Sequence, residues 1–393
     1  MKILKIAAKD LPLFNGICEI DFLPQQRVNS ENAENMSELF STPSNTFYKN
    51  NVISFTGINA SGKTSVLKLI TFVFGMLNNT PINSITCSEV LDGIADNNTV
   101  SFDTFFFSKT QNNKSVYLLN TVIAKENNKL KIVSETLKSK DISKIKAKKA
   151  LYDFSDIETN FTRDVNSEFL LDDVSIMVAF NKRNKESINY TDMLRYTNIN
   201  ELDISEDCPV ELISFFDPSI EYLKINKEKN KSNIHLKFKS KNEMILNQFS
   251  ELNRYLSSGT IKGINTFLYA IRIFNNGGYL IIDELENHFN REIVSTLIRF
   301  YMDKKVNKKG ATLIFSTHYS ELLDEFERND NIYIVRNRQG ITIENLSKIL
   351  KRNDIKKSEA YQSGLLGGTL PMYDAYMDLK NAIISDSIYF INI

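Results

Sequence analysis

Apolar residues follow two rhythms along this chain. Between Ile3 and Phe22 they alternate with polar ones, as in Ile3-Leu4-Lys5-Ile6 and Ile17-Cys18-Glu19-Ile20-Asp21-Phe22, and this predicts strands. A polar stretch from Pro24 to Asn51 reads as a long loop. Val52-Ile53-Ser54-Phe55-Thr56 reads as a short buried strand, and Ser65 to Leu77 as a buried helix. Alternation returns from Val100 to Thr136, in runs divided by Asn-Asn and Asn-Lys pairs, which predicts a meander of antiparallel strands. Residues 137–205 are more polar and read as a mostly helical insertion. Its basic run of Lys138, Lys140, Lys144, Lys146, Lys148 and Lys149 reads as a solvated helix face.

Strand patterns resume at Glu211 to Phe216 and at Ile234 to Phe238. From 250 to 335, helices alternate with buried strands, the pattern of an α/β layer with a parallel sheet. No internal repeat or interdomain linker interrupts the chain. The expected division is 1–136 for an N-terminal lobe, 137–205 for the insertion, 206–350 for a C-terminal lobe and 351–393 for a tail.

Composition narrows the picture. The 393 residues suffice for two or three domains, and 42% hydrophobic residues can bury a large core. Lys+Arg and Asp+Glu are equal at 48 each, which argues against a protein that coats nucleic acid over its whole surface but leaves room for a local basic groove. Cys18, Cys87 and Cys208 are far apart, match no metal-type spacing and suggest no disulfide framework, so a reducing cytoplasm is expected. The start of the chain lacks the apolar core of a signal peptide, and no run approaches the roughly 18 apolar residues of a membrane span.

The chemistry concentrates in four places. Gly57-Ile58-Asn59-Ala60-Ser61-Gly62-Lys63-Thr64 fits G-x-x-x-x-G-K-[ST], the loop that wraps nucleotide phosphates. Its glycines let the backbone turn tightly and aim N–H groups at phosphate oxygens, and the helix that follows directs its positive end at the anion. Lys63 is expected to reach the β/γ-phosphates, and the Thr64 hydroxyl to ligate Mg²⁺. A chance match in a chain this long has a probability of about one in a hundred, and the flanking strand and helix lower it further.

The second place is Gly278 to Glu284, an apolar strand ending in two carboxylates. Asp283 is expected to hold Mg²⁺, and Glu284 to orient and deprotonate an attacking water. The third is Leu256-Ser257-Ser258-Gly259-Thr260, which reads as a serine-capped helix start just upstream of that strand. The fourth is Ala311 to His318, another apolar strand, ending in a histidine placed to contact a γ-phosphate.

In this order GINASGKTS, LSSGT, YLIIDE and STH resemble the ATPase core of the ABC superfamily, and within it the SMC-like and OLD-like ATPases more than membrane transporters. The resemblance implies an α/β ABC-type P-loop head with an antiparallel β-subdomain. It also implies ATP and Mg²⁺ as ligands, and a head-to-tail homodimer with ATP between the phosphate loop of one subunit and the signature motif of the other. Asn59, Ala60, Ser61 and Ser65 would then complete the loop contacts. Ser257, Ser258 and Gly259 would face the partner's ATP, and His318 would match the switch histidine. Ser258 and Thr260 depart from the usual LSGGQ at its first Gly and its Gln.

Asp283 to Asn290 resembles the D-E-x-E-x-x-L-H-P run of OLD-like enzymes, with Phe289 and Asn290 at the Leu-His positions. No Q-loop glutamine can be placed, and Gln111 reads as part of a polar turn. The Gly-rich Tyr361 to Pro371 resembles the C-terminal segment of ATPases from bacterial abortive-infection and anti-phage operons. After His318 no Glu plus Asp-x-Asp cluster of a nuclease appears, Asn181-Lys182-Arg183-Asn184 lacks the Asp of a guanine-reading motif, and the insertion is too short for a long coiled coil. The expected protein is an ATP-hydrolysing switch that controls a separate nuclease or toxin. The alternative is a DNA-associated ATPase for repair or chromosome maintenance.

Overall fold

The computed structural model describes residues 1–43, 45–96, 98–109, 113–163, 170–197, 202–203, 207–228, 231–287, 289–369 and 373–384. Gln111 lies outside them. Strands β1 (Lys2–Lys9) and β2 (Cys18–Asp21) open the chain. The stretch expected as a long loop instead holds α1 (Ser30–Glu34) and a hairpin of β3 (Ser37–Ser41) and β4 (Thr46–Lys49). Two aromatic residues explain the difference. Phe40 and Phe47 meet across the hairpin at 4.9 Å between ring centroids, and Phe40 stacks on Phe107 at 4.9 Å, so a mostly polar segment is folded back onto the core.

Then come β5 (Val52–Thr56) and α2 (Lys63–Leu77), followed by β6 (Thr99–Lys109), β7 (Lys114–Glu126), β8 (Lys129–Asp141), α3 (Lys148–Tyr152) and β9 (Thr159–Thr162). Four of these strands join the first two in an antiparallel sheet of order β2-β1-β6-β7-β8-β9.

The segment 137–205 is not mostly helical. Leu137 pairs with Leu119 and Asp141 with Ser115, so β8 runs past the expected boundary. Beyond it lie α3, β9, α4 (Met177–Asn184) and β10 (Tyr190–Asp192). The cause is β7, whose 13 residues offer a long hydrogen-bonding ladder that outweighs the weak helical preference of a lysine-rich segment. The basic run is dispersed rather than displayed on one helix face. Lys140 is buried: its Nζ donates to the carbonyls of Ala150, at 2.8 Å, and Asp153, and lies 4.5 Å from the Phe154 ring centroid.

Glu211 to Phe216 is also not a strand but lies in α5 (Val210–Phe216). A short apolar run fits either element, and here Pro209 precedes a first turn containing Glu211, both helix-start signals. The antiparallel trio β11 (Ile220–Glu228), β12 (Lys231–Phe238) and β13 (Met244–Leu246) follows, then α6 (Ser258–Asn276). Phe216 of α5 packs edge-on to Phe267 of α6 at 5.2 Å.

The remaining elements are β14 (Tyr279–Ile282), α7 (Arg291–Met302), β15 (Thr312–Thr317), β16 (Ile332–Asn337), β17 (Ile341–Asn345), α8 (Leu346–Ile349), α9 (Lys357–Gln362) and α10 (Tyr373–Ile384). They build a second sheet of order β10-β14-β15-β5-β16-β17, parallel except at β17. Its central strands β5, β14 and β15 are buried along their whole length, as a covered parallel sheet requires.

Ile53, Phe55, Ile281 and Ile314 face one core, shared with α2 and the antiparallel sheet. Val52, Leu280, Leu313 and Phe315 face a second core, shared with α6 and α7. From Leu69 onward helix α2 is buried on all sides because it lies between the sheets: Phe74 meets Tyr279 of β14 at 4.8 Å and Phe72 meets Phe102 of β6 at 5.7 Å. The tail is part of this body at least to Leu366. Ala360, Tyr361 and Leu366 join the second core, and Arg336 donates to the carbonyls of Leu366 and Gly367 at 2.6 Å each. Among the described residues no helix is long and apolar enough to cross a membrane.

Candidate active site

Strand order brings the chemistry together. β15 lies between β14 and β5, and all three run parallel. The acidic strand end, the histidine and the phosphate loop therefore emerge side by side at the C-terminal edge of the sheet, where α/β folds bind ligands. An open cleft of about 680 Å³ lies there, lined by Asn59, Ala60, Ser61, Gly62, Lys63, Thr64 and Ser65, with Glu284 and His318 opposite and Pro12, Leu13, Asn337 and Ile341 at its rim.

The loop keeps its shape because two positions admit only glycine. A Cβ on Gly57 would stand 2.3 Å from the Val335 carbonyl oxygen. Gly62 has φ 97°, and a Cβ there would meet Ile341 at 2.5 Å. The loop is thus pressed against β16 and β17, and Asn337 clips it by donating to the Ala60 carbonyl at 3.2 Å. This cradle, the positive end of α2 and the size of the cleft fit a nucleotide's phosphates.

Lys63 donates to the carbonyls of Gly57 at 2.9 Å and Ile58 at 3.1 Å, and its Nζ lies 3.2 Å from His318 Nδ1. Burial pulls the Lys63 ammonium down to about 8, against the opposing pull of Asp283, Glu286 and Glu284. With Lys63 charged, Nδ1 of His318 must accept, which leaves Nε2 to carry the ring proton, 3.7 Å from Glu284 Oε1.

The two adjacent carboxylates differ sharply. Asp283 is buried, and both of its oxygens are engaged: Thr64 Oγ1 donates to Oδ2 at 2.7 Å and Ser316 Oγ to Oδ1 at 2.5 Å. Glu284 has φ 49°, which turns its side chain out of the strand and into the cleft. Its carboxylate makes no hydrogen bond among the described residues. Thr64 and Asp283 form a pair of hard oxygen donors beside the phosphate loop. Mg²⁺ sites commonly use one or two protein oxygens and complete the shell with water and substrate phosphate, so these residues fit that ion.

Three further residues hold the site in place. Ser316 accepts from the Glu284 backbone N–H at 2.8 Å while donating to Asp283, so one hydroxyl fixes both carboxylate positions. Glu286, also buried, accepts from the His318 backbone N–H at 2.5 Å. Lys262 of α6 shares a second pocket with Asp283 and Glu284, and partial burial lowers its pKa while Glu284 opposes the shift.

Ser257, Ser258 and Gly259 do not line the cleft of their own chain. Ser257 is exposed and caps α6, accepting from the Thr260 N–H at 3.0 Å.

A pH dependence follows from Lys63. Phosphate binding favours the charged ammonium, so the bound state holds its proton more tightly than the free state. ATP affinity should be flat below pH 8 and fall above it, by roughly tenfold between pH 7.5 and pH 9. Titration calorimetry across this range checks it. The residual affinity of a Lys63→Arg protein should not show the fall, because arginine does not titrate there.

A comparison with curated proteins returns no match. The family described as "AAA domain, putative AbiEii toxin, Type IV TA system" matches residues 52–324, from the first residue of β5 to just beyond His318. That span is well over half of the chain and contains the phosphate loop, Ser257 to Gly259, Asp283, Glu284, Glu286, Ser316 and His318, and the chain belongs to this family of P-loop ATPase domains.

Proposed function

We propose that this protein is an ATP-hydrolysing switch of the SMC-like and OLD-like type, which closes as a head-to-tail homodimer on ATP and opens on hydrolysis. The observation that carries the reading is the division of labour at the cleft: Asp283 locked between Thr64 and Ser316, and Glu284 beside it with its carboxylate turned into the cleft. Bound Mg²⁺ would neutralise charge on the transferred phosphoryl group. Thr64 and Asp283 would hold it. Lys63 and the loop N–H groups bind the phosphates. Glu284 takes a proton from a water that attacks the γ-phosphorus as the bond to the bridging oxygen breaks, releasing ADP and phosphate. His318, held by Glu286 and adjoining both Lys63 and Glu284, steadies the γ-phosphate end.

The exposure of Ser257 at the start of α6, away from its own cleft, supports its use by a second subunit. The family's description places such domains in a toxin–antitoxin context. In that setting the switch would act in the bacterial cytoplasm, in defence against phage, by holding or releasing a separate nuclease or toxin.

Complementation tests the composite site. Lys63→Ala disables the loop and Ser257→Arg the signature, so each variant alone should be inactive. A mixed dimer contains one site in which both halves are intact, so mixing the two should restore ATP turnover. If the mixture stays as inactive as its components, the head-to-tail arrangement is wrong.

A further inference from the structure

The opposite edge of the parallel sheet holds a second charged pocket, of about 520 Å³. Six lysines line it: Lys2, Lys49, Lys109, Lys304, Lys308 and Lys309. Two carboxylates share the wall, and both are committed elsewhere. Glu186 binds the N-terminal amine of Met1 and the Ser108 hydroxyl, and Glu38 accepts from Ser41. Among the described residues, none of the six ammonium groups has a carboxylate oxygen within ion-pair distance.

Lys49 forms the floor. It is 3% exposed, and its Nζ donates to Thr312 Oγ1 at 2.7 Å and lies 5.6 Å from the Tyr279 ring centroid. Burial, reinforced by the neighbouring Lys2, pulls the Lys49 pKa well below the usual lysine range, and an anion in the pocket would favour its charged form. Lys304, Lys308 and Lys309 form an exposed rim on the segment between α7 and β15. A buried lysine beneath a rim of exposed ones, in a volume of small-molecule size, suits a compact polyanion better than an extended strand.

We infer that this pocket, at the sheet edge opposite the phosphate loop, binds a small phosphorylated anion through Lys49 and its ring of lysines. The site is independent of the ATPase reading. It lies at the end of β4 and just before β15, roughly 15–20 Å of strand away from the phosphate cleft.

The test uses the full chain carrying Lys63→Ala, which removes the main phosphate ligand of the other cleft. Sodium tripolyphosphate is titrated calorimetrically at low ionic strength, and one site per chain is expected. The rim variant Lys304→Glu/Lys308→Glu/Lys309→Glu, made in that background, should weaken binding by roughly tenfold or more, since three charges change sign near the ligand. Lys49→Met should lose binding while melting no lower than its parent, as judged by circular dichroism. Absence of heat, or equal affinity in the rim variant, overturns the inference. So does tighter binding of a short duplex oligonucleotide than of tripolyphosphate, with a steep salt slope, which would mark a nucleic-acid surface instead.

Discussion

Lys63→Ala is expected to lower ATP affinity by about 100-fold or more and to abolish turnover at any practical ATP concentration. Among the described residues lining the cleft, Lys63 is the one lysine or arginine, and charge-assisted hydrogen bonds contribute about 1.5–3 kcal/mol each, so two of them already exceed a hundredfold. The neighbours of Lys63 sharpen the expectation. Its three contacts, to Gly57, Ile58 and His318, tie loop, cation and histidine into one unit before any ligand arrives. Alanine frees two carbonyls and leaves His318 Nδ1 without its donor, so loop shape and histidine orientation are lost along with the charge.

The fold should survive, because a desolvated lysine contributes little to stability and its removal relieves burial of a charge. Calorimetric titration with ATP, alongside a thermal melt, separates these effects. Near-normal affinity in a folded Lys63→Ala protein would remove the basis for the whole site.

The parts of the site legible in the sequence were those that chemistry confines to a short contiguous stretch. Gly57 to Thr64 is readable because the turn, the cation and the hydroxyl must follow one another. Asp283 and Glu284 are readable because an apolar strand ends in two acids downstream of the phosphate loop. Ser316 and Glu286 act through long-range contacts, each reaching a residue more than thirty positions away, and nothing local marks them except a polar residue closing an apolar strand and a third acid after Asp283-Glu284.

The same distinction explains the fold. The β5-loop-α2 unit and the parallel strands carry their burial in their own composition. The end of β8 and the β3–β4 hairpin do not. Leu137 to Asp141 is a strand because β7 is there to pair with, and the hairpin closes because Phe40 finds Phe47 and Phe107. Those are tertiary facts that a lysine-rich or polar segment does not advertise.

Glu284→Gln should separate binding from chemistry. The substitution keeps the size and shape of the side chain but removes its capacity to take a proton, and loss of a general base costs about 10²- to 10⁴-fold in rate. Asp283, its neighbour, keeps both hydrogen bonds, to Thr64 and Ser316, and the backbone N–H of residue 284 still reaches Ser316, so the metal side of the site and the strand end are undisturbed. ATP affinity should therefore stay within a few-fold of the parent while kcat collapses. If ATP closes the proposed dimer, the variant should also accumulate as an ATP-bound dimer in sedimentation velocity, because the step that opens it is blocked.

Asp283→Asn makes the contrast. It disturbs the Thr64–Asp283 pair, so its loss should appear as a weaker dependence of ATP binding on added Mg²⁺ as well as in kcat. A Glu284→Gln protein that turns over ATP at the parental rate would assign the base elsewhere, and His318, whose Nε2 stands 3.7 Å from Glu284, would be the next residue to replace.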